Sequence, residues 1–356
     1  MKKHIAAALV VICVSASIVP NLHAFSGTYN LENLLPMLNF SLETDYYDAQ
    51  AELYEIQIED GENQLEGFEE ENPLGMGQLD ELKTRSKLVP MKLAETKALA
   101  EYELQTRYYS VFLLTKQNEL LNAQLELLTA QIRVENTKLT YGDSTQSDVD
   151  ALMVREIAVR RAVEANAEAA EAIKGIITEK TATSAADINT TLEITSAELA
   201  YIPQLDYLQQ QLVNENASAV EYRLTVRNKR RLIGYIDDSP ARTDAMADSA
   251  EAEYNLAVAQ EELYCAGLRQ SAVDVYVRYL SAKAAYSPET YALMANRLAA
   301  AQSAYQHGEI SELELLSQQA SIREQLYTYY ENAAAFRNAI TELQMAEQGV
   351  LVGGVS

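Results

Sequence analysis

A heptad repeat of hydrophobic residues runs through the segment from about Ser86 to Leu139. The a row is Leu104, Val111, Asn118, Leu125, Ile132 and Leu139, the d row is Leu114, Leu121 and Leu128, and a further row at the c positions is Leu113, Leu120, Leu127 and Val134. Side chains three and four positions apart lie on one face of a helix, so the a and d rows predict one long helix with a hydrophobic seam. The c row lies about 200° from the a row around that helix. We therefore expect neighbours on both sides, either in a curved wall of helices or, as the alternative, inside a bundle.

The same pattern returns 308 − 142 = 166 residues later in the chain. The later a row is Val277, Ala284, Tyr291, Leu298 and Tyr305, the d row is Val273, Leu280, Met294 and Ala301, and the c row is Tyr279, Tyr286, Leu293 and Ala300. Two heptad patterns at one constant offset are typical of an internal repeat. The sequence therefore predicts two long helices of similar design.

A turn motif follows each long helix at the same offset. The motifs are Gly142-Asp143-Ser144-Thr145-Gln146-Ser147-Asp148 and Gly308-Glu309-Ile310-Ser311-Glu312-Leu313-Glu314. Glycine can adopt the left-handed backbone that ends a helix, and Thr or Ser three residues later can cap the next one. Glu314 is the usual residue at the capping-box position, and Asp148 is a shorter variant. Each motif predicts a tight turn between two antiparallel helices.

Helix-breaking residues are scarce, with only 13 Gly and 7 Pro in 356 residues, which favours few and long elements. The predicted fold is all-α, with tandem long helical hairpins in two coiled-coil-like repeats. The predicted helices cover about 31–65, 86–139 and 145–179 in the first repeat, and 205–235, 242–305 with a kink at Pro288, and 311–347 in the second. The predicted domains are a first repeat at 25–180, a linker at 181–203, a second repeat at 204–348 and a flexible tail at 349–356.

Charge and chemistry exclude several classes of function. The formal net charge is −24, which argues against nucleic acid as a partner because phosphates would be repelled. The only histidine outside the N-terminal segment is His307, and no zinc motif, phosphate-binding loop or nucleophile motif is present. Cys265 lies in a helical context and is expected to be a buried small side chain. We expect no enzyme, no cofactor and no metal site.

The N-terminus is typical of an exported protein. Lys2 and Lys3 precede an apolar run from Ile5 to Val19, and Ala24 follows shortly after. A basic start, an apolar run of about 15 residues and a small residue form a secretory signal peptide. We expect residues 1–24 to be a signal peptide cleaved near Ala24, and the alternative is an uncleaved anchor. The mature chain is expected in the periplasm or elsewhere in the cell envelope, outer-membrane-associated or at the cell surface.

The motif from Tyr305 to Leu316 resembles the hairpin tip of TolC-like outer-membrane efflux proteins, and residues 139–150 form a weaker version of it. The segment from Leu208 to Arg231 is similar to the helix that opens the second half in that family, with Ala217 where Pro is usual. The resemblance implies a homotrimer that encloses a hollow helical cylinder for export. It also implies that the tips meet a periplasmic adaptor, or membrane-fusion protein, and an inner-membrane exporter. The tip residues carried over are Gly142, Asp143, Thr145, Asp148, Gly308, Glu309, Ser311 and Glu314, and their alternative role is turn and cap chemistry alone.

The chain departs from this family at the connectors between the first and long helices of each half. The family inserts a membrane β-hairpin there, which needs at least about 20 residues. The connectors here, about 67–77 and 237–242, are shorter and do not alternate polar and apolar residues. We therefore expect no membrane β-barrel. The predicted function is an efflux or export component that forms an oligomeric helical conduit, and the alternative is an elongated envelope spacer that transports nothing.

Overall fold

The computed structural model describes residues 29–353, and most of them are helical. In chain order the helices are α1 (Leu31–Leu34), α2 (Ser41–Leu65), α3 (Pro73–Tyr141), α4 (Gln146–Thr181), α5 (Ser196–Ala200), α6 (Leu205–Glu215), α7 (Ala217–Asp238), α8 (Asp244–Ala285), α9 (Pro288–Gln306) and α10 (Glu312–Glu347). The predicted signal peptide at 1–24 and the last three residues of the predicted tail lie outside the described residues. The all-α prediction is confirmed.

Two long hairpins, α3–α4 and α8/α9–α10, make up the body of the molecule. Each is preceded by a shorter helix, α2 in the first half and α7 in the second. The two halves meet through α3, which packs against both α7 and α10 of the second half. The connectors before α3 and α8 are short turns at 66–72 and 239–243. Tandem long hairpins were therefore predicted correctly from the heptad pattern.

Helix α3 begins earlier than the sequence predicts. It starts at Pro73 rather than near Ser86 and runs for 69 residues, or about 100 Å at ~1.5 Å per residue. Proline is accommodated at the first helical position, and the Asn72 side chain caps the helix by accepting from the Gly75 amide at 3.0 Å. Gly77 faces Leu232 of α7, and a Cβ at this position would lie 3.0 Å from the Leu232 Cδ1 atom, which is a tight contact. Gly75 and Gly77 were expected to lie in the connector. Gly75 instead lies in the first turn of α3, and Gly77 lies at a close contact between α3 and α7.

The second long helix is interrupted rather than kinked at Pro288. Helix α8 ends at Ala285, and Tyr286 and Ser287 have extended backbones before α9 begins. Proline disfavours the helical conformation at the residue before it, which accounts for the break. The corresponding residues of α3, Leu120 and Leu121, are helical and continuous. The predicted kink is therefore a two-residue break that only the second half contains.

A second break divides the predicted helix 205–235 into α6 and α7. Asn216 is buried and extended, and its side chain accepts from the Ala219 amide at 3.2 Å to cap α7. The same side chain donates to the Gly349 carbonyl at 2.9 Å. Val350 and Leu351 are buried, so the start of the segment predicted as a tail is packed against this junction.

Two hydrophobic clusters hold the middle of the molecule. One lies among α6, α8 and α10 and includes Leu268, Tyr279 and Phe336. The other joins α1, α3 and the linker after α4, where the buried Tyr108 hydroxyl donates to the Asn189 carbonyl at 2.8 Å. Among residues 29–353, no helix has both the length and the apolar character that a membrane span requires.

Candidate hairpin tips and assembly surfaces

The first predicted tip is a tight turn closed by backbone hydrogen bonds. Gly142 has a φ of 82°, in the left-handed region that glycine adopts without strain. Its amide donates to the Leu139 carbonyl at 3.1 Å, and the Asp143 amide donates to the Lys138 carbonyl at 2.9 Å. These two bonds satisfy carbonyl groups at the end of α3, as helix-terminating glycine motifs do.

Helix α4 then begins with a complete capping box. The Thr145 hydroxyl accepts from the Asp148 amide at 3.3 Å, and the Asp148 carboxylate accepts from the Thr145 amide at 3.0 Å. The carboxylate also accepts from the Thr145 hydroxyl at 2.6 Å. Hydrogen bonds from the Thr145 side chain and backbone lower the pKa of Asp148.

The second tip repeats the turn but only half of the box. Gly308 has a φ of 74°, and the Glu309 amide donates to the Ala304 carbonyl at 2.9 Å. The Ser311 hydroxyl accepts from the Glu314 amide at 3.2 Å. No return bond from the Ser311 amide to the Glu314 carboxylate is present in the described residues, so the reciprocal box forms at Asp148, the shorter residue, rather than at Glu314.

The structure brings the two tips to one end of the molecule and leaves their predicted residues open to solvent. Arg133, near the end of α3, donates to the carboxylate of Glu312, at the start of α10, at 2.6 Å. The exposed residues at this end are Gly142, Asp143, Thr145, Asp148, Gly308, Glu309, Ser311 and Glu314. Turn and cap contacts occupy several of their polar groups, and their exposed surface is available for contact.

The two long helices differ in their neighbours. Helix α3 packs against α2 and α4 of its own half and against α7 and α10 of the other half. Helix α8 packs chiefly against α6, α7 and α10, and α9 chiefly against α10. Helix α3 therefore has neighbours from both halves of the chain, whereas the second long helix packs chiefly against helices of its own half rather than against α2 or α4.

Helix α8 carries a row of exposed hydrophobic residues spaced by multiples of seven. Leu256, Leu263 and Val277 are 59%, 77% and 52% exposed. Beyond the break the row does not continue, because Tyr291 of α9 lies against Tyr329 of α10 with ring centroids 5.8 Å apart. The opposite face of α8 is closed, because Tyr279 is 0% exposed against α10. Of the two opposed faces predicted for this helix, one is therefore packed within the subunit and the other is open.

The first half carries open hydrophobic faces as well. Those of α2 are Leu42, Tyr46, Leu53 and Ile56, and those of α4 are Met153, Val154 and Ile157. With Ala49, the α2 residues have alternating spacings of four and three, which form an a/d seam. This seam was not predicted, although its spacing is present in the sequence.

The described residues contain one cysteine and no cluster of side chains suited to a metal ion. No group of three or more His, Cys, Asp or Glu side chains in residues 29–353 is arranged to hold a metal ion. Cys265 is buried, and burial raises the pKa of its thiol.

Comparison with solved structures gives clear matches to membrane channel proteins. A membrane protein from Pseudomonas aeruginosa matches with a TM-score of 0.63 and 13% identity, covering 92% of each chain. CusC, whose structures concern transmembrane channel formation, matches with a TM-score of 0.62 and 12% identity over 93% of this chain and 97% of that one. The open-state MtrE outer membrane channel of Neisseria gonorrhoeae matches with a TM-score of 0.59 and 10% identity over 90% and 89%.

The chain has a TolC-like fold. No protein-family model matches its sequence, and no curated protein does. At 10–13% identity these similarities show the fold alone. The matched neighbours are channel proteins rather than enzymes.

Proposed function

We propose that this protein is an exported envelope component with an efflux-channel-like role, in which several copies assemble into a hollow helical conduit. The observation that carries this proposal is the open hydrophobic row on α8, which packs chiefly against its own half, whereas α3 has neighbours from both halves. In another copy, α2 and α4 have open hydrophobic faces and could stand to α8 and α9 as α7 and α10 stand to α3. A second copy that presents α2 and α4 to α8 and α9 would give both long helices the same surroundings.

Such a contact is heterologous, because it joins two different surfaces of the chain. Repetition of a heterologous contact gives a closed ring if the rotation closes and an open filament if it does not. The proposed assembly is a homotrimer, in which six hairpins form the wall. The tips then lie together at one end of the cylinder, where they dock with a periplasmic adaptor and an inner-membrane exporter. Gly142, Asp143, Thr145, Asp148, Gly308, Glu309, Ser311 and Glu314 form the proposed docking end.

Electron microscopy of the assembled protein tests this function. The full chain is purified in 1 M NaCl, its mass is measured by sedimentation velocity, and the particles are imaged in negative stain. We expect a trimer with a central hole in end views. A solid rod of one or two chains would contradict the conduit and favour the non-transporting spacer.

The tip proposal has its own experiment. Purified periplasmic adaptors from the same organism are titrated against the wild type and against a variant with Asp143→Lys and Glu309→Lys, both exposed tip residues without a capping contact from their side chains in the described structure. A matched control carries Glu324→Lys and Glu331→Lys on the exposed face of α10. Loss of binding only in the tip variant supports docking there, whereas equal binding by all three contradicts it.

A further inference from the structure

The seam of α2 and the open face of α8 are complementary in size. The α2 seam carries large side chains, among them Tyr46, Leu53 and Ile56. The open face of α8 has an a/d spacing in which alanine occupies each d position, and its members are Ala245, Ser249, Ala252, Leu256, Ala259, Leu263 and Ala266, all exposed. Large residues on one helix and alanines on the other permit close packing of the two helices.

The charges beside these seams oppose the same contact. Helix α2 contains eight Asp or Glu residues and no Lys or Arg from Ser41 to Leu65. Helix α8 contains six Asp or Glu residues from Asp244 to Glu262, and its first basic residue is Arg269. Both surfaces are therefore negative where they would meet.

Basic residues within the subunit neutralise only part of this charge. Glu62 of α2 pairs with Lys83 of α3 at 2.7 Å. On α8, Glu253 pairs with Lys229 at 3.0 Å and Glu261 lies 4.0 Å from Arg223, both of α7.

The remaining acidic groups lie directly beside the seams. Asp45, Glu52 and Glu59 are exposed and spaced by seven along one side of the α2 seam. On α8 the exposed acids beside the seam without a basic partner within 4.0 Å in the described residues are Asp248 and Glu262, which directly precede the seam residues Ser249 and Leu263. Residues that flank a helix seam control which helices pair, and like charges there disfavour association.

We propose that the contact between α2 of one copy and α8 of the next forms only when salt screens these carboxylates, so that ionic strength controls assembly. This inference rests on the proposed function, since it concerns the same contact. Charges on a surface interact over about 10 Å at 0.1 M salt and over only about 3 Å at 1 M. The repulsion is therefore strong in dilute buffer and nearly absent in concentrated salt, whereas burial of the hydrophobic seam remains favourable in both.

Sedimentation velocity of the full chain across a salt series tests this control. We expect monomer at 0.02 M NaCl and assembled protein at 1 M, with the apparent dissociation constant at least about tenfold lower at the higher salt. Circular dichroism at each salt confirms that the helices persist. Assembly of equal strength at all salts would overturn the inference and leave the proposed function intact. A folded chain that stays monomeric at every salt would contradict both.

Two further experiments distinguish charge screening at the seam from an effect of net charge and from specific binding of a cation. The variant Glu52→Lys with Glu59→Lys should assemble at low salt, while Glu324→Lys with Glu331→Lys, which changes the net charge equally on α10, should require salt as the wild type does. Equal behaviour of the two variants would show that net charge and not the seam controls assembly, against the inference.

The identity of the cation is the second control. At the same ionic strength, MgCl₂ and NaCl should give apparent dissociation constants that agree to within about twofold. Assembly driven by millimolar Mg²⁺ but not by NaCl would also overturn it.

Discussion

Helices α3 and α8/α9 share one heptad pattern, yet only α3 is covered by helices from both halves of the chain. Helix α3 is continuous and has neighbours from both halves of the chain, and its seam residues Leu104 and Val111 are almost fully buried. The second long helix is interrupted at Tyr286–Ser287, and one of its two hydrophobic faces is open. The difference indicates that one subunit completes the surroundings of its first long helix and leaves those of its second to another chain.

The two faces of α8 provide the strongest test of this comparison. Leu268→Ala removes a side chain that is 0% exposed in the core cluster, so we expect the free energy of unfolding of the monomer to fall by about 2–5 kcal/mol. Leu263→Ala, five residues away on the open face, should change it by no more than about 0.5 kcal/mol while weakening assembly. Urea unfolding in low salt measures both. Similar losses of monomer stability would contradict the assignment of one closed and one open face.

The turn glycines sharpen the comparison of the two hairpins. Gly308 has a φ of 74° and no atom within 4 Å of the position that a Cβ would occupy, so a substitution there acts through the backbone alone. We expect Gly308→Val to destabilise the second hairpin by roughly 1–2 kcal/mol. Gly234→Ala in α7, a helical position with equally open space, is the control and should be neutral or stabilising. An unchanged melting temperature for Gly308→Val would exclude the left-handed turn.

The capping boxes give a smaller difference between the two tips. Thr145→Ala removes a reciprocal box and should cost about 1 kcal/mol, whereas Ser311→Ala removes a single cap bond and should cost less. Thermal unfolding at neutral pH compares them. An equal or larger loss for Ser311→Ala would contradict the observed asymmetry.

The capping box at Asp148 also predicts that the stability of the first tip depends on pH. Its pKa is lowered in the folded chain from the ordinary value of 3.8, so its contribution to stability is complete above that value and is lost as the pH falls through the lower folded pKa. Asp148→Asn should remove this acid-dependent part at the first tip. A matched Glu314→Gln change at the second tip, where the return bond is absent, is the control. Identical acid unfolding of wild type and Asp148→Asn would contradict the role of the carboxylate.

Periodicity predicted the long hairpins and both turns because these depend on local sequence. A heptad row indicates which side chains are apolar, but it does not indicate what covers them, so the open row of Leu256, Leu263 and Val277 on α8 could not be distinguished from a buried one. The predicted start of α3 was wrong because Gly75 and Gly77 were interpreted as part of a connector, whereas Gly75 lies in the capped first turn of the helix and Gly77 packs closely against Leu232 of α7. The break at Asn216 depends on its bond to Gly349, more than 100 residues away, which no local pattern reveals.

The α2 seam was missed for a different reason. Its residues have the a/d spacing of a partnered helix, but they are interspersed with carboxylates, which reduce the hydrophobic contrast of the row. The spacing and the charge of α2 are both informative, and the structure shows that this seam is exposed in the isolated subunit.

Cross-linking between copies tests the central claim, that α2 of one subunit contacts α8 of the next in a heterologous interface. One sample carries Leu53→Cys and another Leu256→Cys, both with Cys13→Ser and Cys265→Ser, and each is treated with a short bis-maleimide in 1 M NaCl, alone and after mixing. Because the proposed contact joins two different surfaces, we predict covalent dimers in the mixed sample and few or none in either sample alone. Dimers that form equally in the separate samples, or no dimers in the mixture of assembled protein, would contradict it.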